Sequence, residues 1–280
     1  MSSHLKPPLW LRVLSKCIVI ILVAFSIAPL IWMLSTSFKT TVEQTAFPPT
    51  LIPKNFTLKP YIEGWQSKSF GRYFYNTAFV SIITTALCVT LSSLCGYGFS
   101  RYKLKGSNLM LTLLFALQMF PTSVVIVPYF MSINKLGLMN THLALIIAYT
   151  SFSLPLCIWM IKSFLDGIPI DLDQAAHIDG CSPLRTFLMI VLPLARPGLI
   201  ACIIFTFLGA WKEYLFALTL ANKQNVMVIS VAITSFIGEH STSWNQMMAM
   251  GIVSIIPVIL IFLFLQKYLI SGMISGAVKL

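Results

Sequence analysis

Five stretches of this chain run for more than twenty residues without an Asp, Glu, Lys or Arg: 17–38, 73–100, 106–134, 136–161 and 241–266. A helix rising 1.5 Å per residue needs roughly 20 apolar residues to cross about 30 Å of hydrocarbon, and each stretch is long enough. The composition agrees. Charged residues make up 10% of the chain, hydrophobic residues 57%, and the mean hydropathy is +0.86; soluble domains carry about 25% charged residues. The chain therefore reads as an all-α integral membrane protein. Its net charge of +11 is scattered through short connecting segments, with no basic helix or stripe, so no nucleic-acid partner is expected. A sixth crossing is less clean, because Lys212 and Glu213 interrupt it. The spans expected are about 13–35, 73–99, 108–131, 141–162, 197–221 and 246–267, within one transmembrane domain covering 1–280.

With both termini on the inner side, eleven Lys and Arg residues lie inside and eight outside. The dense run Arg-Tyr-Lys-Leu-Lys at 101–105 is the strongest single vote for that orientation. The first span is longer than a signal-peptide core and no small-residue cleavage site follows, so an uncleaved helix is expected. The six cysteines (17, 88, 95, 157, 181 and 202) lie mostly in apolar spans with no metal-ligand spacing and read as buried free thiols; no metal site is expected. Pro29, Pro121, Pro128, Pro155 and Pro257 fall inside spans, where each removes a backbone donor and is expected to kink its helix.

Residues 163–196 are too long for a plain connector. Asp171-Leu172-Asp173-Gln174 has the form of a capping box, with Asp171 at the cap and Gln174 reaching back. Ala175 and Ala176 follow, and Gly180 can end a helix in a left-handed geometry. Ser182-Pro183 starts another, with serine at the cap and proline at the first helical position. Leu184, Phe187, Leu188 and Val191 keep helical spacing before Leu192-Pro193. Two capped helices around a glycine pivot suit a stiff lever docked on another protein, the alanines leaving a bare face for close approach. An amphipathic hairpin lying on lipid is the alternative.

The string Asp-Gln-Ala-Ala-His-Ile-Asp-Gly-Cys at 173–181, with Phe187, Ile190, Leu192, Pro193 and Pro197 at fixed offsets, resembles the EAA loop of ABC importer permeases. Phe47-Pro48-Pro49, Leu51-Ile52-Pro53 and Asn55-Phe56-Thr57-Leu58 resemble the first outer loop of the carbohydrate-type members. Residues 96–101, 135–141 and 209–214 resemble their later signatures, and the tail 272–279 is similar to that of the smaller, G-type permease of maltose-type importers. The resemblance covers nearly the whole chain. It implies the six-helix fold of binding-protein-dependent ABC importer permeases, in a bacterial or archaeal cytoplasmic membrane. It also implies a second homologous permease, two ATP-binding cassette subunits holding ATP and Mg, and an external solute-binding protein. Carried over by position, Asp173, Gln174, Ala175, Ala176, Asp179, Gly180, Leu192 and Pro193 form the ATPase-coupling contact. Three positions depart from the pattern: Gln174 replaces the usual Glu, Cys181 an Ala, and Lys212 an Asn. A neutral Gln makes a weaker contact with a basic partner residue than a charge-assisted one.

The sequence Gly-x-x-x-x-Gly-Lys-Ser/Thr is absent, so the chain has no phosphate cradle of its own and is not expected to be an enzyme. Moving a two-state pore from 1:99 to 99:1 takes about 5.5 kcal/mol of differential binding, which a partner must deliver through a stiff contact. Charge or bulk at Ala176 or Gly180 is expected to uncouple hydrolysis from uptake. Ionisable groups inside membranes are functional candidates, so Lys212 and Glu213 join Gln118 as candidates for the path or gate. Asn76 and Thr206 are also polar within spans, though interhelix bonding explains them as well. Glu239, His240 and Trp244 lie in a loop long enough to meet a docked binding protein. The reading is a translocation subunit of an ATP-driven importer for a sugar or sugar-like solute. A polyamine, glycerophosphodiester or similar solute is the alternative. An ion-coupled secondary transporter ranks below both, because paired mid-membrane acids and inverted repeats are missing.

Overall fold

The computed structural model describes residues 9–67, 69–102, 105–238 and 241–277. They form helices α1 (Leu9–Ser37), α2 (Lys59–Ser67), α3 (Phe70–Arg101), α4 (Ser107–Gln118), α5 (Thr122–Lys135), α6 (His142–Asp166), α7 (Asp171–Ile178), α8 (Pro183–Thr186), α9 (Leu192–Leu194), α10 (Arg196–Lys212), α11 (Leu215–Leu220), α12 (Ile229–Ala232) and α13 (Trp244–Ala277). A π-helical turn, Phe187–Val191, joins α8 to α9. Among the described residues, four helices are long and apolar enough to span a membrane: α1, α3, α6 and α13 through Lys267. Two bent pairs bring the number to six if each pair counts as one span: α4 with α5, meeting at 99°, and Pro183–Leu194 with α10, meeting at 78°.

One expected span is therefore broken, and another ends early. The run 108–131 turns sharply at Met119–Pro121, because Pro121 has no amide to donate and takes an extended conformation (ψ 135°) as the cap of α5. The other four prolines sit inside helices that continue past them. The run 197–221 stops at Lys212, where Glu213 is extended, and resumes as α11.

The contacts divide the chain into two compact units. In the first, which holds α1, α2 and 233–253, residues 9–32 of α1 are exposed, and Thr36 and Ser37 at its end are buried. A helix apolar on every side is built for a bilayer or a partner helix. After it the chain folds onto Lys39 and Glu43, both buried. The Lys39 ammonium lies 4.6 Å from the Trp32 ring centroid and donates to the Thr50 carbonyl. The Glu43 carboxylate accepts from the amides of Lys54 (2.7 Å) and Asn55 (3.3 Å) and from the Thr50 hydroxyl (3.2 Å). These bonds to the ionised form hold its carboxyl below the usual value of 4.5, the Lys54 amide foremost.

In the second unit, α3 packs along α6 and α10. The α3–α6 crossing is close: a Cβ on Gly96 would stand 2.8 Å from Ile161 Cγ2, so only glycine lets these helices approach so far. One core cluster joins Cys88 of α3, Cys157, Ile161 and Leu165 of α6, and Cys202 of α10 to Val191 and Ala195. Those last two residues come from the 183–195 segment, so the bent segment is rooted in the same core as the spans. All six cysteines are free thiols, but only Cys88, Cys157 and Cys202 are buried as expected; Cys17 and Cys95 lie on exposed helix faces and Cys181 is half-buried.

Candidate functional site

The segment Asp171–Leu194 forms an elbow whose geometry is set from both ends. Helix α7 does not start with the expected capping box. Its cap is Ile170, without a side-chain bond, and Asp171 is already the first helical residue. The turn is begun by backbone alone, with Leu172 N donating to Pro169 O (3.3 Å) and Asp173 N to Ile170 O (3.0 Å). Asp171 and Asp173 still sit in the first turn, where acidic groups favour the helix dipole.

Asp173 is the anchor. Its carboxylate is buried and ion-paired with Arg101, Nε to Oδ2 2.9 Å, with only 7% and 9% of the two side chains exposed. The Tyr97 hydroxyl donates to its other oxygen at 2.9 Å. Arg101 also donates to the carbonyls of Leu165 and Ile168, each at 3.1 Å. One guanidinium thus ties the end of α3, the end of α6 and the start of α7 together. Beside it Ser100 donates to Asp166 Oδ1 (2.7 Å), and Lys162 pairs with Asp166 one turn away (2.6 Å).

The helical turn then sorts the remaining coupling candidates. Ala176 is buried, whereas Gln174, Ala175, Asp179 and Gly180 are exposed. The two alanines therefore face opposite ways, and only Ala175 offers the bare outer face expected of both. Gly180 has φ +82°, the left-handed geometry that ends α7. Ser182 caps α8 by accepting from Arg185 N (3.4 Å), with Pro183 at the first position. Phe187 then turns inward, its ring 4.9 Å from that of Tyr97. Val191 and Ala195 follow it into the core, while Leu184, Leu188, Met189 and Leu194 stay exposed. Leu192 is half-buried and Pro193 exposed.

The candidates for the path lie apart from the elbow. The Gln118 amide donates to the Phe152 carbonyl at 3.0 Å. Lys212 ends α10 and is exposed; among the described residues it forms no ion pair. Glu213 is not its partner but a clasp for α11: its two oxygens accept from the amides of Phe216 (2.9 Å) and Ala217 (3.1 Å), and its carbonyl accepts from the Ser230 hydroxyl. The carboxylate borders a cavity of about 190 Å³ between α5, α6, α10 and α11, into which Tyr149, Ser153 and Gly209 also face. Asn76 is buried and donates to the carbonyls of Asn225 and Met227, and the Thr206 hydroxyl meets Cys157 Sγ at 3.2 Å. Both serve the packing. Trp244 opens α13 and is exposed, and Glu239 and His240 lie outside the described residues.

Arg101 and Tyr97 escaped the reading of the sequence as partners of Asp173. Their signal was present in the run 96–101, which resembles a family signature and whose arginine also counts as an inner-side charge, but neither feature names Asp173 as the partner.

Residues 88–275 match the model of the family described as binding-protein-dependent transport system inner membrane component. The chain is 35% identical over 259 residues to the sulfoquinovosyl glycerol transport system permease protein SmoH of Agrobacterium fabrum, covering 92% of this chain and 91% of that one. It is 34% identical over 263 residues to the trehalose/maltose transport system permease protein MalG of Thermococcus litoralis, covering 93% and 94%. Its fold matches a chain of a bacterial ABC transporter that imports the acidic polysaccharide alginate, with a TM-score of 0.82 and 19% identity over 96% of this chain and 99% of that one. The sequence match over two thirds of the chain and the helical architecture agree: this chain belongs to the family of binding-protein-dependent transport system inner membrane components.

Proposed function

We propose that this chain is the translocation subunit of an ATP-driven importer for a sugar, oligosaccharide or sugar-like solute. In this reading a separate ATPase subunit grips residues 171–193. The observation that carries the coupling role is the buried Arg101–Asp173 pair. A lever transmits force only if it cannot slide on the body it moves, and breaking a buried pair costs about 3–5 kcal/mol. Through Arg101 the start of α7 moves with α3 and α6; through Val191 and Ala195 the far arm moves with the core. The exposed Gln174, Ala175, Asp179 and Gly180 are left for the partner. Gln174 offers it an amide instead of a carboxylate, a weaker grip on a basic residue.

The partners in this reading are a second homologous permease, two ATP-binding cassette subunits that hold ATP and Mg, and an external solute-binding protein. The bundle sits in a cytoplasmic membrane with both termini inside. The sugar assignment draws on relatives named for trehalose, maltose and sulfoquinovosyl glycerol, together with the outer-loop and tail motifs. Uptake of trehalose, maltose, melibiose and raffinose into proteoliposomes holding the whole complex, with and without ATP, is the test. ATP-dependent accumulation of at least one is expected. A complex that hydrolyses ATP but accumulates none of them overturns the sugar reading.

A further inference from the structure

At one end of the bundle α4 and α6 border a cleft of about 550 Å³. That is room for well over a dozen waters at roughly 30 Å³ each, far beyond the voids that close packing leaves. Its walls are one face of each helix. Asn108, Leu111, Thr112 and Phe115 repeat at the spacing of a single stripe on α4, and Trp159, Lys162, Ser163 and Asp166 repeat at the same spacing on α6. Helix α4 buries none of its twelve residues, so packing against α6 does not account for the polar groups on its stripe.

The lining is graded in depth. Asp166 closes α6, and Asn108 lies at the start of α4. Ser100, near the end of α3, donates to Asp166 Oδ1 at 2.7 Å, so the ends of α3 and α6 are level. The polar groups therefore lie at the end of the spans, at the depth of a headgroup layer in either orientation of the chain. Deeper along both helices, Phe115 and Trp159 meet edge to face with ring centroids 5.5 Å apart, and Trp159 is exposed. That is the level at which interfacial aromatics sit. Helix α4 also exposes Leu109, Leu113 and Leu117, an apolar track leading further into the membrane. Lys162 and Asp166 pair at 2.6 Å with 25% and 44% of their side chains exposed. A pair so exposed adds little to stability. Each partner also keeps bonding capacity, two N–H groups on the ammonium and a lone pair on each carboxylate oxygen.

We propose that this cleft seats the headgroup of a zwitterionic aminophospholipid, whose phosphate accepts from Lys162 and whose primary ammonium donates to Asp166, while an acyl chain follows the apolar track of α4. The cleft carries one cation and one anion, and a zwitterion matches both. An anionic headgroup meets the lysine but also faces the carboxylate. A sugar ring carries hydroxyls around its whole edge and suits polar groups level with the aromatic rings, whereas here the charged pair lies to one side of them. The site depends on residence in a membrane and is independent of which solute the protein carries.

The test is native mass spectrometry of the whole complex in detergent, titrated separately with phosphatidylethanolamine, phosphatidylcholine and phosphatidylglycerol of matched acyl chains. The choline headgroup keeps the phosphate and the positive charge, but its trimethylated nitrogen has no N–H to give Asp166. Phosphatidylethanolamine is expected to bind about tenfold more tightly than phosphatidylcholine, the scale of one charge-assisted hydrogen bond. Asp166→Asn should bring the two lipids within about threefold of each other, and Lys162→Gln should weaken both alike by about tenfold. Ser163→Phe fills the cleft, keeps both charges and should abolish the preference. Copurification with the partner subunits is measured for each variant, and the comparison of the lipids on the unmodified complex needs no variant. Equal binding of the ethanolamine and choline lipids by that complex overturns the proposal, as does tighter binding of phosphatidylglycerol. A preference unchanged in both Asp166→Asn and Ser163→Phe overturns it too, by placing the lipid elsewhere on the complex. Absence of any bound lipid overturns it by leaving the cleft to water or to a partner helix.

Discussion

Asp173 and Glu213 are both acidic residues at the start of short helices in a polar-poor chain, and the structure satisfies them in opposite ways. Asp173 is neutralised by a cation from a distant helix, buried, and unavailable to anything outside. Among the described residues no cation pairs with Glu213; local backbone amides hold it, and it borders an open cavity. A carboxylate bonded to a guanidinium from another element is a structural rivet, because removing either partner strands a buried charge. A carboxylate bonded to its own helix can be lost at the cost of that helix end. Burial of the partner, more than the acid itself, separates an anchor from a group free for a ligand.

The comparison breaks most directly at Arg101. Arg101→Ala leaves Asp173 buried and unpaired, and a loss of about 3–5 kcal/mol is expected. It should appear as a lower thermal midpoint of the purified complex or as loss of assembly. The double variant Arg101→Met with Asp173→Leu should recover most of that stability, since apolar replacements of a buried pair are often neutral. An Arg101→Ala protein as stable as the original would mean the pair is ornamental.

The two alanines of α7 sharpen the contrast between inside and outside. Ala176→Arg forces a charge into the interior and is expected to lose the protein itself. Ala175→Arg adds its charge on the exposed side, so stability should hold while uptake falls roughly tenfold, the scale of a disrupted interface contact. Thermal melts and ATP-dependent uptake measured on both variants separate the outcomes. Equal behaviour of the two would deny that α7 has an inner and an outer face.

A smaller effect is expected at Glu213. Glu213→Ala removes two bonds to the α11 amides and should cost about 1–2 kcal/mol, the range of a lost helix cap. Faster hydrogen exchange at Phe216 and Ala217, with exchange on α7 unchanged, is the signature.

What the sequence disclosed follows the distance over which each feature acts. The left-handed Gly180 and the Ser182-Pro183 start were legible because a turn and a cap involve neighbours only. The spans were legible as charge-free runs, but the sharp turn at Pro121 was not, since Pro128, Pro155 and Pro257 interrupt similar runs without ending a helix. The capping box failed for a local reason that competed: Pro169 and Ile170 begin the helix one residue sooner, so Asp171 never occupies the cap. Asp173 was misread as facing a partner because its bonds are tertiary; Tyr97 lies 76 residues away. Nothing in a run of Asp-Gln-Ala-Ala states which side of α7 the rest of the bundle covers. The cavity beside Glu213 was invisible for the same reason, as four helices must meet to form it.

Glu43 extends the comparison with the gentlest perturbation, a proton. Like Glu213 it is held by backbone amides, those of Lys54 and Asn55, but it sits in a polar loop outside the spans. Its folded carboxyl titrates below the value of 4.5 expected when the loop is open, mainly through the Lys54 amide. The stabilisation is therefore complete above about 4.5 and is lost as the pH falls through the lower folded value. Between pH 6 and 5 the loop should not respond. Below pH 4.5, hydrogen exchange at Lys54 and Asn55, corrected for its intrinsic pH dependence, should quicken. Glu43→Gln should show that faster exchange already at neutral pH and lose the acid response, because the amide keeps one acceptor oxygen and its NH2 group cannot accept from the second backbone N–H. An acid response unchanged in Glu43→Gln would place the titrating group elsewhere.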